Sequence, residues 1–107
     1  MSTSEVTMVR VYLTEGQHKL AALLKYLHDE SKVCGVTVFR GITGFGKSGR
    51  MHSSSLIDLS FNLPVVIEFF DAPEKAASII TRLNTMLEPG HVVWWPARIS
   101  TNEGRGQ

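Results

Sequence analysis

Twice in this chain an extended apolar segment hands over directly to an amphipathic helical one, and that repeat restricts the possible folds more than any other feature. Residues 6–13, Val-Thr-Met-Val-Arg-Val-Tyr-Leu, alternate with period two and are β-branched and aromatic, the pattern of a strand. Val9, Val11 and Leu13 fall on one face and Met8, Arg10 and Tyr12 on the other. Thr14 and Gln17 have capping-box spacing, and Leu20, Leu23, Leu24 and Leu27 then follow at helical intervals up to about Lys32. The second hand-over runs from Leu63–Phe70, a strand apolar on nearly both faces, into a helix burying Ala76, Ile80, Leu83 and Leu87. Asp71 and Glu74 repeat the capping signal, Pro73 fits the first turn, and Pro89-Gly90 ends the helix. Val36–Arg40 and His91–Ile99 supply two more strands.

The resulting order, βαββαβ, predicts an α+β ferredoxin-like sandwich: a four-stranded antiparallel sheet with two helices on one face. One domain is expected over residues 1–107, with its core at 6–99, a long loop at about 47–60 and a disordered polar tail at about 100–107. Helices on one side leave the other face of the sheet open. Met8, Tyr12 and the doubly apolar third strand make that face hydrophobic, which points to a homo-oligomer covering it. Arg10 and Glu68 are placed to pair across adjacent strands there. Trp94-Trp95 puts one indole on each face of the last strand, one expected in the core and one at an interface.

Bulk properties exclude several classes. With 43% apolar and 20% charged residues the chain has the composition of an ordinary globular domain. A net charge of +1 gives no electrostatic footprint for nucleic acid. Cys34 is alone, so neither an intrachain disulfide nor a cysteine-rich metal site is possible. Met1–Glu5 lacks the basic and apolar stretches of a signal peptide, and no apolar run approaches the ~18 residues of a membrane span. A cytoplasmic location without direct membrane insertion is expected.

Residues 41–48, Gly-Ile-Thr-Gly-Phe-Gly-Lys-Ser, satisfy the phosphate-loop pattern G-x-x-x-x-G-K-[ST]. A working phosphate loop leaves a strand and enters a helix whose N-terminal N–H groups hold the phosphates. Here Gly49-Arg50-Met51-His52-Ser53-Ser54-Ser55 is no helix start, so the nucleotide-hydrolase reading is judged a false positive and no enzyme is expected. An anion site nevertheless fits Gly44, Phe45, Gly46, Lys47, Gly49 and Arg50, where glycines allow converging N–H groups and two side chains add positive charge. The competing reading is a glycine-rich bend with solvated basic residues. Arg98 is a further candidate, reaching a neighbouring cleft from the last strand. His52 and His91 belong to no recognisable ligand cluster, so no metal site is assigned.

These segments together resemble one family. The βαββαβ order, Gly41-Ile42-Thr43-Gly44-Phe45-Gly46 after the second strand and the long loop beyond it resemble the PII signalling superfamily. Ser48-Gly49-Arg50, His52-Ser53, Leu63–Glu68 and Asp71-Ala72-Pro73-Glu74-Lys75 are similar, more narrowly, to the PII-like proteins of domain-of-unknown-function family 190, over about residues 6–99. The resemblance implies a homotrimer whose sheets surround a central axis. It also implies an adenine nucleotide in clefts between subunits, with the base of the long loop (the T-loop) at Gly44-Phe45-Gly46-Lys47 near the phosphates. The loop, with His52, Ser53, Ser54 and Ser55, would meet a partner protein, for which a membrane transporter or ion channel is the lead.

Two departures bear on this. The connection Glu88-Pro89-Gly90-His91 is too short for the second phosphate loop of nitrogen-signalling PII proteins, and the long loop has no tyrosine to be modified. The alternative is a metal or ion-homeostasis protein resembling the cation-tolerance relatives of PII.

Overall fold

A computed structural model describes residues 1–14, 19–45, 51–53 and 63–102. Four long strands, β1 (Ser2–Thr14), β2 (Val36–Arg40), β5 (Pro64–Asp71) and β6 (Val92–Thr101), form one sheet in the order β2-β5-β1-β6. Every neighbouring pair is antiparallel. Two short strands, β3 (Thr43–Phe45) and β4 (Met51–Ser53), form a separate antiparallel pair between β2 and β5. The helices are α1 (Leu20–Lys25), which widens into a π-helical segment over Tyr26–Ser31, and α2 (Pro73–Met86). Counting the four long strands, the order is the expected βαββαβ, with the central strands β5 and β1 carrying the helices.

The core follows from period. Val9, Val11 and Leu13 of β1 stand beside Val65, Ile67 and Phe69 of β5, and all six are buried. Leu23 and Leu27 close over them from the first helix, with Leu20 and Leu24 partly buried at its margin. From α2 come Ala76, Ile79, Ile80 and Leu83, then Leu87 just beyond it. Ile79 completes the stripe expected from Ala76, Ile80, Leu83 and Leu87. Among the described residues no helix is long and apolar enough to cross a membrane.

Several local expectations are corrected. Thr14 stays in the β1 ladder opposite Pro64, and α1 begins at Leu20 after Lys19, whose side chain makes no capping hydrogen bond. The Thr14–Gln17 box therefore does not start the helix, and Gln17 lies outside the described residues. The first helix ends at Lys32, held in the left-handed region at φ 55°. In α2 the cap is Ala72, not Asp71. Asp71 still acts at this corner: its Oδ1 accepts from the Ala72 N–H at 2.8 Å, and its Oδ2 lies 3.2 Å from the Lys75 ammonium. Gly90, at φ 98°, makes the left-handed turn that the Pro89-Gly90 stop signal requires. Ser100 and Thr101, expected in a disordered tail, pair with Thr3 and Ser2 instead, because β1 itself extends to Ser2. Residues 103–107 lie outside the described residues.

The two indoles divide as the alternation predicts, but neither is core. Trp94 is opposite Val9 on the helix side yet 51% exposed, because β6 is an edge strand that the helices do not fully cover.

Candidate functional site

The sheet face away from the helices is the first feature of the site. Register puts Met8, Arg10 and Tyr12 of β1 directly opposite Phe70, Glu68 and Val66 of β5. Trp95 and Val93 of β6 flank Met8 and Arg10, and Phe39 of β2 flanks Val66. Period-two alternation places all of these on one side. Tyr12, Phe39, Phe70, Val93 and Trp95 are each exposed by more than a third. At its centre the Arg10 Nε–H donates to Glu68 Oε2 at 2.9 Å, and the guanidinium lies 5.5 Å from the Trp95 ring centroid. The hydrogen bond to Glu68, and after it one to Tyr12, holds the Arg10 pKa above its ordinary value. Arg10 is thus charged at every accessible pH, and the face is an apolar field around one satisfied ion pair.

The second feature is the sheet end where β1 and β2 finish and β5 and β6 begin. Tyr12 donates its N–H to the His91 carbonyl at 2.9 Å, and His91 Nδ1 lies 2.7 Å from the Tyr12 carbonyl oxygen. A carbonyl only accepts, so Nδ1 carries the proton, and in the neutral ring Nε2 remains an acceptor. On the neighbouring strands Gly41 donates its N–H to the Pro64 carbonyl at 2.7 Å. A β-carbon on Gly41 would stand 2.7 Å from Pro64 Cγ, and one on Gly44 3.4 Å. Pro64 therefore crowds Gly41 and stands in ordinary contact with Gly44, a clamp that roots the β3–β4 pair at this end of the sheet.

This changes the meaning of the glycine-rich motif. Gly41 serves close approach to Pro64 and Gly44 lies in ordinary contact with it; neither has the positive φ that an anion-binding nest uses. Nor does the segment adopt the strand–loop–helix form of a phosphate loop. Thr43, Gly44 and Phe45 are a strand whose partners are Ser53, His52 and Met51. The expected loop from 47 to 60 thus contains a strand, β4. Gly46, Lys47, Gly49 and Arg50 lie outside the described residues, as do Ser54 and Ser55. Phe45 points outward, 71% exposed.

The remaining candidates are scattered. Arg98 faces Glu5 across the β1–β6 ladder, six residues beyond Val92 and roughly 20 Å along the strand from the hairpin end. A site shared by Arg98 and Gly44 requires a second copy. Among the described residues no three His, Cys, Asp or Glu side chains are grouped as metal ligands. Sequence reasoning missed the Pro64 clamp and the β3–β4 pair. Three-residue strands carry too few alternations to register as a period, and only the spacing Gly41, Gly44 hinted at a close approach.

The clamp yields a direct expectation. Gly41→Ala forces a methyl against a stiff pyrrolidine ring and should cost about 1–3 kcal/mol by urea denaturation, whereas Gly44→Ala should cost clearly less. Equal and negligible effects would mean that Pro64 does not crowd Gly41.

Comparison with known proteins places this geometry. A UPF0166 protein of Aquifex aeolicus is 41% identical over 75 residues, covering 68% of this chain and 74% of its own. Among solved structures, CPII from Thiomonas intermedia K12, bound to ADP and bicarbonate, superposes with TM-score 0.65 at 20% identity, covering 92% of this chain and 89% of that one. The divalent ion tolerance protein CutA1 of Ehrlichia chaffeensis gives TM-score 0.59 at 8% identity, covering 92% and 85%. These likenesses establish a shared PII-like, ferredoxin-like fold. Residues 6–99, from the first buried valine of β1 almost to the end of β6, match DUF190, the family described as an uncharacterized ACR, and the chain belongs to that family.

Proposed function

We propose that this chain is a PII-like regulatory protein and not an enzyme. It assembles as a homotrimer through its open sheet faces and binds an adenine nucleotide in the clefts between subunits. The observation that carries the reading is the hairpin β3–β4, rooted through Pro64 at the end of an uncovered apolar sheet face. Covering that face with other copies brings a neighbour's β6, including Arg98, toward the hairpin end. The nucleotide-bound state of CPII, which shares the fold, supports the choice of ligand. Lys47 and Arg50, in the connection between β3 and β4, supply the charge that phosphates require. Ligand binding would shift the segment from 44 to 60 between ordered and mobile states, presenting or hiding a surface for a partner such as a membrane transporter or ion channel in the cytoplasm. The cation-tolerance alternative rests on the weaker fold match.

Titration calorimetry with AMP, ADP and ATP tests the ligand. Binding is expected to weaken at least about tenfold in the Lys47→Ala, Arg50→Ala double variant, the loss of one or two charge-assisted contacts. Unchanged affinity would remove those two residues from the site, and no binding to the wild type would remove the nucleotide. Hydrogen exchange over residues 44–60 should change on ligand addition; identical protection would remove the switch.

A further inference from the structure

On the helical side of the molecule, opposite the open sheet face, a groove of about 410 Å³ runs between the π-helical segment and α2. Lys75, Ile79 and Arg82 share one face of α2 at i, i+4 and i+7 and form one wall; Tyr26, Glu30 and Ser31 form the other. The charges of this groove are not equivalent. The Lys75 ammonium is already engaged, 3.2 Å from Asp71 Oδ2 and donating to the Lys32 carbonyl at 3.1 Å. Arg82 sits 5.8 Å from the Tyr26 ring centroid, which steadies the guanidinium without using its hydrogen-bond donors. Among the described residues, neither the Arg82 nor the Glu30 side chain has an ion-pair or hydrogen-bond partner, although both line the same groove. The Ser31 hydroxyl, on the same wall as Glu30, is buried and unpartnered.

An unpaired acid and an unpaired base facing one groove without meeting select their occupant by charge. A simple anion is opposed by Glu30, and a simple cation by Arg82 and Lys75. A molecule with both charges close together satisfies both walls. We propose that this groove binds a free α-amino acid, with its carboxylate on the Arg82 guanidinium and its ammonium on Glu30. The ligand side chain lies against the half-buried Tyr26 ring. The groove is large enough to admit so small a ligand. The site is separate from the hairpin end, so it does not depend on nucleotide binding.

The test is an NMR titration of the full chain with glycine, L-leucine and L-glutamate, each compared with its N-acetyl and C-amide derivative. Amide resonances of 26–31 and 78–82 should move with at least one of the three amino acids. Both derivatives should bind at least about tenfold more weakly, as should Arg82→Gln and Glu30→Gln, since each removes one charge-assisted contact. Arg82→Lys, which keeps the charge but not the fork, should fall between. The proposal is overturned if none of the three moves the groove resonances at millimolar concentration. It is equally overturned if the N-acetyl derivatives bind as well as their parents, which would make the groove a plain anion site. Unchanged ADP titration of the same variants would show that the two sites stand or fall separately.

Discussion

Phe70→Asp combined with Trp95→Asp is expected to reduce the proposed homotrimer to monomers, read by chromatography with light scattering. Both rings lie on the open sheet face, flanking Met8 from either side, and retain 39% and 37% exposure for a neighbouring copy to cover. Covering the remaining ~80 Å² of each ring contributes roughly 2 kcal/mol per ring. The replacement does more than remove that gain. It also asks two carboxylates to leave water, at several kcal/mol for an ion without a partner, and only position 95 has a cation, Arg10, beside it. A total above about 5 kcal/mol per subunit corresponds to more than a thousandfold in association, enough to separate subunits at micromolar concentration. Phe45→Asp is the control, since Phe45 is still more exposed but stands on the hairpin and not on this face. Its mass should stay that of the wild type. A double variant that keeps the wild-type mass, or a wild type that is itself monomeric, would sink the assembly.

Phe69→Ala is expected to be the most damaging single truncation, at about 3–5 kcal/mol by urea denaturation. Phe69 is 2% exposed, the largest fully buried side chain among the described residues, paired in register with Val9 and Val36. Removing its ring leaves a cavity in the core that the surrounding side chains refill only in part. Against a total stability of about 5–15 kcal/mol, that loss brings the fold close to its limit. Phe70→Ala, one residue later and on the opposite face, should barely change unfolding of the subunit while weakening assembly. Should the two truncations lower the urea midpoint equally at constant oligomeric state, the assignment of faces would be wrong.

Much of this contrast was legible in the sequence. The alternation from Val6 to Leu13 separated the buried Val9, Val11 and Leu13 from Met8, Arg10 and Tyr12, and it anticipated the Arg10–Glu68 pair. Helix stripes named nearly every core residue of α1 and α2. Helix starts were less legible, because capping boxes describe only local competition. Thr14 was held in the β1 ladder by Pro64, fifty residues away, and Asp71 was held at the β5–α2 corner by Lys75. The site was least legible. Its glycine motif satisfied a phosphate-loop pattern that has meaning only ahead of a helix, whereas the chain beyond it returns as β4, paired back on β3.

The sequence by itself determined the order of the long elements, their two faces and the apolar character of the open sheet face. Those properties depend on period and side-chain type, which a linear chain displays in full. Tertiary structure alone decided that Pro64 crowds Gly41, that Trp94 is half exposed at an edge, and that Glu30 and Arg82 share a groove without pairing. Each of these is a distance between residues remote along the chain or on separate elements, set by the packing of whole strands and helices against one another, and no local pattern encodes it.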